Sequence, residues 1–187
     1  SGNNGGDTLV ALDYLAQEGW RVSAAIIRPR PADDPLIVRL QAAGGQVVWL
    51  DAYFDEQVLS RLLEDHGLLL DGVLGTGARL PLKAEVAHAL GFTRRKLLEM
   101  ERPPIVVAVD CPSGVDCDSG EAAPECLSAD TTVTMAAVKQ GLLKFPAYSL
   151  VGELRVVGIG LPEDGEGLQA WREVRCFLPD LDWVRNA

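Results

Sequence analysis

Three short segments combine residue types that can do chemistry. Gly2–Asp7 (GNNGGD) sets two amides and a carboxylate among three glycines, just ahead of a helical pattern. Glycines let a backbone approach a ligand closely, and a helix start turns free N–H groups and partial positive charge toward an anion. Asn side chains add amide donors and carbonyl acceptors. The plainer reading is a turn with Asp7 as helix N-cap, but GNNGGD is denser than a cap requires. It fits neither GxGxxG nor the Walker pattern. Asp71–Gly77 (DGVLGTG) puts a carboxylate inside the apolar run Leu68–Leu74. Burying it unpaired costs several kcal/mol, so it calls for a cation, a metal or donors unless it faces solvent at a strand end. Gly75-Thr76-Gly77 then supplies a turn with backbone donors, and Arg79 and Lys83 follow closely. Val109–Gly114 (VDCPSG) places Asp110 at the carboxyl end of an apolar run, where Pro112 stops the ladder and Ser113-Gly114 turns. The next stretch, Asp116–Gly120 (DCDSG), lacks the later Glu of a calcium loop and reads as a solvated turn.

These segments need a scaffold, and the apolar pattern supplies one. Strands are expected at Arg21–Ile27, Gln46–Leu50, Leu68–Leu74, Ile105–Val109, Thr131–Thr134 and Leu154–Val157. Helices are expected at Thr8–Gln17, Pro35–Ala43, near Asp55–Asp65, and at Ala84–Met100 with an interruption at Gly91. The two most continuous strand runs suit a sheet covered on both faces. Strand–helix alternation gives an α/β fold, doubly wound around a mostly parallel sheet. In such folds ligands bind outside the carboxyl ends of the strands, which is where all three segments fall.

The 187 residues are 48% hydrophobic and 24% charged, an ordinary composition for one folded domain. Lys plus Arg (17) against Asp plus Glu (27) leaves −10. That balance argues against a general nucleic-acid or polybasic membrane surface. No apolar run approaches the roughly 20 residues that span a bilayer, and no signal peptide is visible. The reading is a soluble, cytoplasmic protein. Cys111, Cys117, Cys126 and Cys176 match no zinc spacing, and His66 and His88 both lie in helical stretches, so the thiols read as reduced and structural. Both ends look cut: a ligand-type loop opens the chain with no strand before it, and Glu163–Gly167 is a linker-like acidic patch. A longer parent protein is expected.

The motifs GNNGGD, DGVLGTG, VDCPSGVDCDSG, ADTTVTMAAVKQG and GELRVVGIGLP, in that order, resemble the YjeF N-terminal domain, the NAD(P)H-hydrate epimerase family, over residues 2–162. The resemblance implies a Rossmann-like three-layer α/β/α sandwich and epimerisation of the R and S forms of hydrated NADH or NADPH (NADHX, NADPHX). It implies an epimerase domain at 1–162, truncated at its N-terminus, and a connector at 163–187 toward a C-terminal ADP-dependent dehydratase domain of a bifunctional protein. It also implies K+ held by Asn4, Asp71 and Ser113, and a homodimer. Substrate contacts would come from Asn3, Asn4, Gly5, Gly6, Asp7, Gly75, Thr76, Gly77, Ala78, Arg79, Leu80, Pro81 and Asp110. Two positions depart from the family: Thr8 stands where Gly is usual, and Arg28 where many members carry Lys.

Amide, carboxylate and hydroxyl oxygens are hard donors suited to a hard cation, which would answer the desolvation problem at Asp71. Asp110 is the expected catalytic acid and base. Two rivals stand beside the epimerase: a non-catalytic scaffold module on the same fold, and a nucleotide-binding domain with another substrate. Preference between NADHX and NADPHX stays open, with Arg28, Arg30, Arg79 or Lys83 available to a 2′-phosphate.

Overall fold

The aliphatic and β-branched runs become six strands that all pair in parallel, with the longer amphipathic stretches between them as helices. The computed structural model describes residues 2–50 and 54–160. In chain order they form α1 (Asn3–Gln17), β1 (Ser23–Ile26), α2 (Pro35–Ala42), β2 (Gln46–Trp49), α3 (Glu56–Asp65), β3 (Leu68–Asp71), α4 (Ala84–Glu99), β4 (Ile105–Val109), β5 (Thr131–Met135), two short 3-10 turns (Gln140–Leu143 and Ala147–Ser149) and β6 (Glu153–Val157). These elements belong to one compact unit ending at Val157; a second unit begins at Gly158. The expected connector at 163–187, with Cys176, lies outside the described residues.

Local chemistry explains several boundaries. Asp34 accepts the Leu36 N–H at 2.9 Å and Pro35 opens α2, a pairing of cap and first-turn proline. Asp55 accepts the N–H groups of Gln57 (2.9 Å) and Val58 (3.3 Å) to start α3. In contrast to the expected break, α4 runs through Gly91. A Cβ there would come within 3.4 Å of Glu125 Cγ, so the glycine admits a neighbour rather than ending the helix.

The opening segment differs more. GNNGGD is not a loop ahead of a helix at Thr8: α1 starts at Asn3, and Asp7 is an exposed second-turn residue rather than the cap. Gly2 takes the N-cap position at φ +120, a conformation that suits glycine. The helix propagates because Gly6 N–H bonds Gly2 O at 3.2 Å and Thr8 Oγ1 donates to Asn4 O at 2.8 Å. Strand β3 is also shorter than the apolar run, ending at Asp71, where the chain turns beneath α1. A Cβ on Gly72 would lie 1.7 Å from Thr8 Oγ1.

The strands form two sheets, β1-β2 and β3-β4-β5-β6. Arg21 reaches the Asp65 carbonyl near the starts of β1 and β3. Beyond their other ends, Arg30 and Gly72 both lie beside Gly5. The two sheets therefore point the same way. A cleft of about 610 Å³ separates β1 from β3, lined by Leu9, Leu12, Val22, Leu63 and Leu69 among others. Parallelism and the α/β class are as expected, and the strands of the described residues divide between two sheets. The strand runs mark which residues are extended but not which edges touch.

Core residues fall into four groups. Leu9, Val22, Ala24, Ile37 and Leu40 join α1 and α2 to β1. Leu50, Leu59 and Leu63 pack with Phe54 and Phe92. Val86, Leu90, Val106, Ala108 and Leu127 seat α4 on the larger sheet. Cys111, Val115, Cys117, Cys126, Leu142 and Val151 fill the region behind the carboxyl ends of β4 and β5. The three cysteines are free thiols, consistent with a packing role. Burial pushes the Cys126 thiol up to about 12, and interaction with the neighbouring Cys117 thiol, with burial second, also pushes Cys111 up.

Two outcomes follow from this packing. Gly72→Ala should destabilise the protein by about 1–3 kcal/mol through overpacking against Thr8. Pairing it with Thr8→Gly should recover at least about 1 kcal/mol in urea unfolding, a coupling that separate sites would not show. In native protein at pH 8, below the raised thiol values, Cys111 and Cys126 should resist iodoacetamide. Both should label fully in urea, as read by peptide mass mapping.

Candidate active site

The carboxyl ends of β3, β4 and β5 and the first turn of α1 build the site. Asp71 is the last residue of β3 and its side chain is fully buried. Its Oδ2 accepts the Ser113 N–H at 2.8 Å and its Oδ1 the Ser113 hydroxyl at 2.5 Å. Desolvation nevertheless pushes its carboxyl above the usual carboxylate range, only partly opposed by the Ser113 bonds and the Val73 N–H. No Lys or Arg pairs with it among the described residues.

Ser113 is reached through the turn that follows β4. In contrast to the expectation that Pro112 stops the ladder, β4 already ends at Val109, ahead of the left-handed Asp110, and Gly114, at φ +102, reverses the chain. The Ser113 hydroxyl also accepts the Leu74 N–H at 2.9 Å, tying the DGVLGTG segment to the VDCPSG segment. Asn4 Nδ2 donates to the Leu74 carbonyl at 2.7 Å, which brings in α1. Gly75 lacks a Cβ where Asn4 passes: one would sit 3.0 Å from Asn4 Cβ. The other amide atom, Asn4 Oδ1, is buried with no hydrogen-bond partner.

Asn4, Asp71 and Ser113 thus converge around Leu74, with Asn4 70 residues before Leu74 and Ser113 42 residues after Asp71. Their oxygens are hard donors, one of them an orphaned buried amide oxygen and another a buried carboxylate with no cationic partner. That set fits an alkali cation, the ion implied by the resemblance. A soft or tightly tetrahedral metal fits less well. No cluster of three His, Cys, Asp or Glu suited to such an ion occurs among the described residues.

Asn3, Gly5, Gly6 and Asp7 occupy the first two turns of α1, where no side chain caps the helix. Its leading N–H groups are therefore free to face an anion. Arg30 sits over this turn. A Cβ on Gly5 would be 3.5 Å from Arg30 Nη1, while Arg30 Nε and Nη2 are held by Asp34 at 3.0 and 2.9 Å. Arg30, one of the four cations weighed for a phosphate, is thus placed against α1. Gly75–Pro81 forms the turn after Asn4's contact, with Thr76, Gly77, Arg79 and Pro81 exposed.

Asp110 follows β4 directly and adopts φ +69, in the left-handed region. Its N–H bonds Val133 O at 2.8 Å, and its Oδ1 accepts the Met135 N–H at 3.2 Å and the ammonium of Lys139. Lys139 was not among the expected site residues. Its only signal in the chain is a position within ADTTVTMAAVKQG, where spacing alone does not bring it to Asp110. DCDSG also does more than turn in solvent: Asp116 accepts Asp118 and Ser119 N–H groups, and the Cys117 carbonyl receives the Gly141 N–H at 2.7 Å. The apolar cleft between β1 and β3 reaches these loops, with Gly5, Arg30, Asp71, Gly72 and Val73 among its lining residues.

Residues 1–141 match the family model described as YjeF-related protein N-terminus. The chain is 36% identical over 168 residues to NAD(P)H-hydrate epimerase of Clavibacter sepedonicus, covering 88% of this chain and 72% of that protein. It is 39% identical over 162 residues to NAD(P)H-hydrate epimerase of Microbacterium testaceum, covering 86% of this chain and 59% of that protein. A Moorella thermoacetica protein named bifunctional NAD(P)H-hydrate repair enzyme Nnr is 33% identical over 99% of this chain, which spans 34% of its length. In three dimensions the chain is similar to yeast ynu0, with a TM-score of 0.70 over 97% of this chain and 72% of that one, at 18% identity. The yeast likeness concerns fold alone. With the family model covering most of its length, this chain belongs to the YjeF-related N-terminal family.

Proposed function

We propose that this domain interconverts the R and S forms of hydrated NADH or NADPH. The observation that carries the reading is the meeting of Asn4, Asp71, Ser113 and Asp110 at the carboxyl ends of one parallel sheet. Relatives of 33–39% identity named for NAD(P)H-hydrate epimerisation or repair support it.

The substrate carries a hydroxyl on C6 of the reduced ring, beside the ring nitrogen. Inversion at C6 requires that this group leave as water and that water return to the opposite face. The Asp110 carboxyl protonates the departing hydroxyl and later takes a proton from the incoming water, so the protein ends unchanged. The N-terminal turn of α1, where Asn3, Asn4 and Gly5 precede the first intrahelical N–H bond at Gly6, receives the pyrophosphate, and Arg30 adds a cation there. The Gly75–Pro81 turn contacts the remainder of the substrate.

Asn4 Oδ1, the Asp71 carboxylate and Ser113 Oγ would hold K+. When bound, the ion supplies a positive charge that offsets the buried carboxylate and fixes three loops. Residues 163–187 act in this reading as a connector toward a dehydratase domain in the complete protein. No helix among the described residues is long and apolar enough to cross a membrane.

Proton NMR of an R/S mixture tests the reading. Faster exchange with protein supports the epimerase, binding without exchange points to a nucleotide-binding module, and neither result points to a scaffold. Asp110→Asn should abolish the acceleration while leaving binding within about threefold. KCl at about ten times the dissociation constant should raise the unfolding midpoint by about 3–6 °C relative to tetramethylammonium chloride of equal ionic strength. Asp71→Asn should remove that difference.

A further inference from the structure

Building on the epimerase reading, we infer that Lys139 is a positioning residue that fixes the Asp110 carboxylate and leaves one of its oxygens to exchange protons with the substrate. An ammonium has three donors and no acceptor. Lys139 Nζ uses them on Asp110 Oδ1, Thr134 Oγ1 at 2.9 Å and Met135 O at 2.9 Å. Oδ1 also takes the Met135 N–H, so it is committed twice, whereas Oδ2 has no hydrogen-bond partner among the described residues. Both side chains are largely shielded, with 19% of Lys139 and 13% of Asp110 exposed. A long flexible side chain held at three points in a half-buried site is not an ordinary surface lysine.

The backbone on either side keeps Lys139 in register. Upstream, Ala136 adopts φ +64, its N–H bonds Val157 O at 2.8 Å, and Ala137 N–H bonds Met135 O at 2.8 Å. Downstream, Gly141 packs so closely on the DCDSG turn that a Cβ would lie 2.4 Å from Asp116 O. Lys139 is thus clamped between the ends of β5 and β6 and a glycine seat. In the reaction, the protonated form of Asp110 gives the proton on Oδ2 to the C6 hydroxyl, which leaves as water, and the carboxylate left behind is the form that Lys139 holds. The same oxygen then takes a proton from the water that adds to the other face. Lys139 does not donate in this geometry, because its protons are all engaged.

The test compares wild type, Lys139→Met and Lys139→Ala by NMR exchange between R and S hydrates, with thermal midpoints alongside. The expected result for Lys139→Met is a fall in kcat of about 100-fold with KM within about threefold, in the range seen when an acid–base group is lost. Ethylammonium should restore Lys139→Ala at least tenfold in a saturable manner, and tetramethylammonium, which lacks an N–H, should not. A kcat within threefold of wild type in Lys139→Met overturns the inference, as does equal rescue by both amines. A wild type that fails to accelerate exchange overturns the epimerase reading instead. In that case, or if the variants do not fold, the 15N signal of the Lys139 ammonium in wild type decides. It should be visible through slow proton exchange and shift in Asp110→Asn; its absence overturns the tether itself.

Discussion

The structure turns on a carboxylate that has no business being dry. Asp71 ends a strand inside the protein, away from any Lys or Arg among the described residues, and an ion there is stable only if its lone pairs are answered. Ser113 answers with both its N–H and its hydroxyl, which requires the chain after β4 to turn back at Pro112-Ser113-Gly114. That hydroxyl also receives Leu74, and Leu74 in turn holds Asn4. One buried charge thus organises three loops by a relay of hydrogen bonds. Charge-assisted bonds of this kind are the strongest available without a salt bridge. The orphaned Asn4 Oδ1 shows that the protein's own donors do not finish the task.

A second constraint acts at the neighbouring strand ends. β4 and β5 pair in parallel, and each is followed at once by a non-glycine residue in the left-handed region, Asp110 and Ala136. Each such residue costs about 1–3 kcal/mol and persists only where surrounding structure dictates it. Here the Val133 carbonyl fixes Asp110 N–H and the Val157 carbonyl fixes Ala136 N–H, so each sheet neighbour enforces the bend. The bends lift Asp110 and the start of the Lys139 segment out of the ladder together. Aspartate tolerates this conformation better than most residues, whereas alanine does not, so its strain is borne by the contacts that enforce the bend.

Much of this was legible in the residue pattern, and the failures are instructive. The parallel strands were visible because aliphatic runs such as Ile105–Val109 admit little else, and Asp71 stood out because a carboxylate in such a run must be answered. The helical start at Asn3 was hidden because two glycines carry a low helix propensity, which packing of Thr8 over Gly72 and of Gly6 against Leu36 overrides. The division into two sheets was hidden because period-2 patterns carry no information on which edges meet. Lys139 was invisible for a different reason. Its partner is 29 residues away, and its position depends on Gly141 seating against Cys117, a contact between two irregular segments.

The net charge of −10 sets the last problem, since the proposed ligand carries a pyrophosphate. An acidic protein cannot attract an anion by its overall field, so attraction must be local and short-ranged. The first turn of α1 has amides that no side chain caps, since glycine and not Ser or Asp occupies its N-cap. A carboxylate cap would stabilise the isolated helix but would occupy these amides. Arg30 is treated in a complementary way. Asp34 grips its Nε and Nη2 and orders the guanidinium, while Nη1 lies beside Gly5. Thr8 belongs to the same design: a β-branched residue in place of glycine stiffens the helix one turn below the amides and seats it on Gly72. Helix position, and with it the donor array, is therefore set by the contact that also lets β3 end at Asp71. The anion-facing amides and the buried carboxylate cannot be moved independently.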